Sequence, residues 1–280
     1  MIFKLYSPDL FYTIFSPMLA FEIPSLPVLI LLFVTGIVGG VINAIAGGST
    51  FITFPIFLAT GLPPFIANAS NFVALLPGNA MALIPLRKEL VSACKRYPLI
   101  IILSLVAGVC GSLALLAGPS IFAGLVPWML LLATTLYALT EPAMRFARKR
   151  FPNPSPTLRR CAPILLAVAT CFVAFYCGYF GAGVGFLFLS LLTIAGIDNM
   201  ITRQAVKNLS LAFIGVISVS LYAYAGIIAW PQAITTFAGA VIGGLCGGTI
   251  IQRVNAKILH YVILTIGVVL TAGFFLFPPS

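Results

Sequence analysis

The chain has 280 residues, of which 61% are hydrophobic and 7% charged, with a mean hydropathy of +1.16. A water-soluble domain carries roughly 25% charged residues, so this chain cannot cover itself with polar surface and its solvent must be lipid. The net charge of +10, from 15 Lys and Arg against 5 acids, is scattered over short loops. That pattern fits the positive-inside asymmetry of membrane proteins and argues against a nucleic-acid partner.

In chain order, residues 1–25 form an N-terminal lead-in, interfacial or disordered. Lys4 is a thin basic start, and Pro8, Asp9 and Pro17 interrupt any signal-like apolar run. The first span is predicted over 26–46. A short apolar piece follows over 50–60, and the pair Pro63-Pro64 opens a helix to 86. A basic loop lies at 87–96. Further spans are predicted over 98–117 and 121–140. Residues 141–162, with Arg145, Arg148, Lys149, Arg150, Arg159 and Arg160, form a basic cytoplasmic linker. The remaining segments are 163–180, a short piece over 184–195, then 200–225, 231–251 and 257–277. The runs have helix length for a ~30 Å hydrocarbon core and lack the alternation of outer-membrane strands.

Two apolar stretches are broken by glycine. Residues 36–61 read GIVGGVINAIAGGSTFITFPIFLATG, and residues 177–196 read CGYFGAGVGFLFLSLLTIAG. Paired broken segments of this kind point to a transporter binding site. The halves also match at an offset of 136 residues: Ala46-Gly47 with Ala182-Gly183, Ala69 with Ala205, and Gly108, Cys110 and Gly111 with Gly244, Cys246 and Gly247. If the short pieces count as segments, the basic loops 87–96, 145–160, 197–203 and 252–257 share one side. The loops 61–63, 118–119, 182–183 and 226–231, which carry no Lys or Arg, share the other. The expected fold is therefore an all-α, multi-pass membrane bundle of two inverted repeats, 26–140 and 163–280. It has about eight full spans plus two short or re-entrant segments, about ten segments in all.

Catalytic chemistry is not expected. The one His, His260, and the acids Asp9, Glu22, Glu89, Glu141 and Asp198 sit at or beyond span ends and assemble no carboxylate pair, metal cluster or triad. The six Cys show no CxxC spacing and read as small hydrophobes, so neither a disulfide, a metal nor a cofactor is expected. The glycines at 108, 111, 243, 244, 247 and 248 read as close helix contacts. Gly47, Gly48, Ser49 and Thr50 in the first break, with Gly183 and Gly185 in the second, offer bare backbone amides and hydroxyls at half-helix N-termini, which bind anions. The helices that follow the breaks carry Asn68 and Asn71 in one half and Arg203, Lys207 and Asn208 in the other. Lys207 stands about 10 Å into its helix. A cation there either serves function or snorkels to the headgroups.

The stretches GIVGGVINAIAGGSTFITFPIFLATGLPPFIANASN, CGYFGAGVGFLFLSLLTIAGIDNMITRQAVKN and AYAGIIAW resemble the TauE/SafE sulfite-exporter family of membrane permeases across both halves. Members typically carry a longer glycine run where this chain has Gly47-Gly48-Ser49-Thr50. The resemblance implies a multi-pass permease of the bacterial inner membrane for sulfite, organosulfonates or related small anions. Breaks, amides and a buried cation without a buried carboxylate point to the same class of substrate. The expected function is secondary transport of a small anion, in the export direction, with the lipid bilayer as surroundings. Self-association into a homo-oligomer is compatible with it. An anion channel, or a non-transporting assembly or sensor protein, are the alternatives.

Overall fold

Every regular element described by the computed structural model is a helix; it describes residues 23–45, 47–150, 156–197, 199–250 and 256–276. In chain order these are α1 (Leu26–Ile45), α2 (Thr50–Ala59), α3 (Pro64–Ala82), α4 (Arg87–Arg96), α5 (Pro98–Ala117) and α6 (Pro119–Arg150). They continue with α7 (Pro156–Tyr179), α8 (Val184–Ile194), α9 (Met200–Tyr224), α10 (Trp230–Ile250) and α11 (Ala256–Leu276). The expected lead-in up to residue 22, positions 151–155 of the linker, Ala46 and Asp198 lie outside the described residues, as do the side chains of Glu141, Arg145 and His260.

Proline sets several starts. α3, α5, α6 and α7 each begin on one, where the missing N–H is an orphan in any case. α2 and α8 are short, with 10 and 11 residues. Ten residues reach about 15 Å, half the ~30 Å hydrocarbon thickness. Among the described residues, Leu26–Ile45, Pro98–Ala117 and Met200–Tyr224 are each long and apolar enough to cross a membrane unaided.

Two expectations change. The basic loop at 87–96 is helix α4, turned by 99° from α3. Its charges suit a helix: Glu89 stands in the first turn and Lys95 and Arg96 in the last, each favoured by the helix dipole. Only Ala93 is buried, while Arg87, Lys88, Lys95 and Arg96 face out. Helix α6 also continues to Arg150 and α7 starts at Pro156, so helix runs through much of the expected linker. Ala143, Met144, Arg145, Ala147, Arg148 and Lys149 are good helix formers.

Two helix pairs hold the bundle together by backbone contact. Gly36 and Gly40 of α1 lie against the carbonyls of Thr236 and Ala240 of α10. In return, Gly239 and Gly243 lie against the carbonyls of Phe33 and Ile37. Helices α5 and α7 pack the same way, Gly111 on the Phe175 carbonyl and Gly178 on the Gly108 carbonyl. Lipid supplies no hydrophobic drive between helices, so close approach of small residues does the work. Gly244, Gly247 and Gly248 add contacts of α10 with Gly78, Val41 and Ala82, and Gly108 packs on Ile214 of α9. The opposite faces are apolar and open: Leu31, Val34 and Val38 on α1, Ile102 and Val106 on α5, Val168 and Phe172 on α7.

Candidate functional site

The two broken segments meet. The Gly185 N–H donates to the Gly47 carbonyl over 3.2 Å. Gly47 has φ +77°, and a Cβ there would run into the Gly185 backbone. Only glycine meets both demands. Gly183 precedes α8 with φ +70°, and the ring of Phe51 sits 3.1 Å from where its Cβ would stand. Neither short helix has a side-chain cap, although Ser49 occupies the N-cap of α2. The Ser49 hydroxyl is buried without a partner. Among the described residues the amides of Gly48, Ser49 and Thr50 donate to no backbone carbonyl. The Gly185 amide, expected as an anion donor, is instead engaged with Gly47.

Beside this crossing lies a cavity of about 440 Å³ including its mouth. Asn43, Thr50, Asn71 and Asn79 are its polar lining. Phe72, Leu75, Leu76, Cys177, Phe180, Val184 and Leu211 are its apolar walls. No lining residue is charged. Asn71 is held at the break: Thr53 Oγ1 donates to its Oδ1 at 2.5 Å, and its Nδ2 donates to Thr50 Oγ1 at 3.4 Å. The Thr53 hydroxyl also lies 3.1 Å from the Ser49 carbonyl, but its single proton serves the nearer acceptor. Asn43 Nδ2 donates to the Leu75 carbonyl at 3.4 Å.

Lys207 is fully buried, with 0% exposure, so its ammonium does not snorkel to the surface. It faces the end of α1, donating to the carbonyls of Asn43 at 3.2 Å and Ala44 at 3.1 Å. Asn208 Nδ2 reaches the Ala44 carbonyl at 3.5 Å and Gln204 Nε2 the Ile45 carbonyl at 2.7 Å. A helix ends with orphan carbonyls and a negative partial charge. Here three side chains of α9 satisfy them, one of them a cation. The other broken helix is served in kind, since Asn68 Nδ2 of α3 donates to the Tyr179 carbonyl at 3.1 Å. Asn68 and Gln204 are 136 positions apart. The Tyr176 hydroxyl reaches over the same break to the Ala182 carbonyl at 2.9 Å. The one carboxylate whose side chain is described, Glu89, lies on α4 and accepts from Thr202 at 3.4 Å.

The predicted residues thus fall into four places. Thr50 and Asn71 line the cavity. Gly47, Gly183 and Gly185 form the crossing, with Gly48 and Ser49 buried in the turn beside it. Asn68, Lys207 and Asn208 face helix-end carbonyls. Arg203 bonds Thr193 Oγ1 of α8, away from the cavity lining. Four residues join the site that the prediction left out: Asn43, Thr53, Asn79 and Gln204. A helical-face count from Asn71 leads to Leu75 and Asn79 and was the signal for the last cavity residue.

The sequence matches the family model described as "Sulfite exporter TauE/SafE" over residues 32–274. It is 27% identical over 251 residues to a probable membrane transporter protein of Haemophilus influenzae, covering 89% of this chain and 94% of that protein. It is 26% identical to the probable membrane transporter protein ORF9 of a Sinorhizobium species, over 85% of this chain and 89% of the relative. It is 25% identical to the probable membrane transporter protein YfcA of Escherichia coli K12, over 86% and 87%. No solved structure matches.

Proposed function

The chain belongs to the sulfite exporter TauE/SafE family of integral membrane transporters, and we propose that it is a secondary permease exporting a small oxyanion or sulfonate through a bacterial inner membrane. The observation that carries this reading is the crossing of two broken helices at Gly47 and Gly185, beside a cavity lined by amides and a hydroxyl. Broken helices at a repeat interface are where such transporters place their substrate. The uncapped N-terminus of α2 and the neutral N–H donors favour an anion over a cation. Lys207 adds positive charge one layer behind the cavity, through the Asn43 carbonyl that it holds.

The exchange of partners supports an internal duplication, whose halves the loop charges read as inverted. α1 packs on α10 and α5 on α7, and at the 136-residue offset the first pair becomes the second. In this reading one repeat rocks against the other about the crossing. Export of an anion from a negative interior gains ~2.3 kcal/mol per charge per 100 mV, so no proton relay is required.

Flux of ³⁵S-sulfite from proteoliposomes under an imposed potassium-diffusion potential tests the reading. Efflux should accelerate as the inside becomes more negative. Flux indifferent to potential but following a pH gradient would overturn potential-driven export. A thermal-shift series with sulfite, sulfate, thiosulfate, sulfoacetate and taurine would rank substrates. Stabilisation by neutral or cationic solutes alone would overturn the anion assignment.

A further inference from the structure

Helix α3 presents Asn71, Leu75 and Asn79 to the cavity on successive turns. Asn71 is fixed at the break by Thr50 and Thr53. Asn79 stands two turns away, about 12 Å along the axis at 1.5 Å per residue. It is only 8% exposed, its Oδ1 has no partner, and among the described residues its amide makes no hydrogen bond. A buried carbonyl oxygen left unbonded is costly, and a leucine would fill the space without that cost. The amide group can turn to offer either its oxygen or its two N–H donors.

Between the two amides the wall is apolar, formed by Phe72, Leu75 and Leu76. Beyond Asn79, α3 leads into α4, where Arg87, Lys88, Lys95 and Arg96 are exposed. They outnumber the one acid of α4, Glu89, and a net-positive surface raises the local concentration of anions. Along the chain the order is therefore the amides and hydroxyl at the break, the cavity-lining Asn79, then the exposed cations of α4.

We propose that Asn79 is a second binding station, which takes the head-group oxygens of a small oxyanion as it passes between the α4 face and the break. The station is neutral, which suits passage: binding must be strong enough to admit the ion and weak enough to release it. This inference rests on the anion-permease reading above and adds a step to it.

The test uses ³⁵S-sulfite flux in right-side-out and everted vesicles, so that entry from each face is measured separately. Asn79→Leu removes the amide, and Asn79→Ala removes it with less bulk; the second is read where the first does not yield folded protein. Either variant should raise the KM for sulfite entering from the α4 face by about tenfold, the loss of one hydrogen bond to a charged group. The KM from the opposite face should stay within twofold. A rise of equal size from both faces would reduce Asn79 to a structural residue, and no change from either face would remove it from the path; both outcomes overturn the station and leave the permease reading standing. Wild-type protein that moves no sulfite from either face would overturn the sulfite reading and the station with it.

Discussion

The Gly185 amide and the Gly47 carbonyl share a hydrogen bond of 3.2 Å, a single backbone contact that fixes how the two broken segments cross. Gly47 is constrained twice, by φ +77° and by the Gly185 backbone against its Cα hydrogen. Gly47→Ala should therefore fail to give a monodisperse detergent-solubilised protein. Gly61→Ala is the control. Its φ is +86°, but nothing lies within 4 Å of the new methyl. It should cost only the left-handed backbone penalty, about 1–2 kcal/mol, seen as a lowered thermal midpoint with the elution profile kept.

Lys207→Met sets two effects against each other. It strips donors from the Asn43 and Ala44 carbonyls, and it also removes a charge that was costly to bury. Asn208 remains on the Ala44 carbonyl and Gln204 on that of Ile45. The net stability change should be below about 2 kcal/mol, read as a small shift in thermal midpoint. Anion flux should nevertheless fall at least about tenfold, because the positive charge behind the cavity is gone. Unchanged flux would remove Lys207 from the transport machinery.

Thr53 does not line the cavity, yet its hydroxyl holds Asn71 Oδ1 at 2.5 Å. This sets which face the Asn71 amide shows to a ligand. Thr53→Val keeps shape and loses the donor. It should raise the substrate KM by about threefold to tenfold, the worth of one buried hydrogen bond. Thr53→Ser should restore the KM, and failure of that rescue would show that packing, not the hydroxyl, matters there.

The helix contacts can be probed by single methyl groups. In Gly36→Ala the new methyl strikes the Thr236 carbonyl, forcing α1 and α10 apart at a cost of about 1–3 kcal/mol. Gly124→Ala, within α6, meets nothing within 4 Å. It should stabilise by about 0.5–1 kcal/mol, the helix preference of Ala over Gly. Thermal midpoints in one detergent compare the two.

Local signals made much of the helix order readable. Pro98 and the Gly118-Pro119 pair bracket α5, and its bounds follow from them. The charges of α4 misled, because a polar ten-residue segment reads as loop unless its periodicity is weighed. Its one inward residue, Ala93, gives little apolar pattern. Lys207 was recognisable as a cation deep in an apolar helix, but its orientation was not. Its acceptors lie 163 and 164 residues away, and only tertiary packing brings α1 to it. Asn43 and Asn79 escaped notice for a related reason. Asn43 stands between isoleucine and alanine and Asn79 between glycine and alanine, and the meaning of these single neutral amides appears only when α1 and α3 share a cavity.

The glycine contact between α1 and α10 also has a consequence in time. Gly36 rests on Thr236, two hundred positions later in the chain. At about 5–20 residues per second, α1 leaves the ribosome some 10–40 s before its partner is made. During that interval its glycine face must be sheltered by lipid, by a neighbouring helix in passing, or by the insertion machinery. Biogenesis rather than transport is then the stage at which substitutions in this seam, such as Gly36→Ala, first take effect. Pulse-chase protease sensitivity of α1 would register that delay as a window that closes only after α10 has been synthesised.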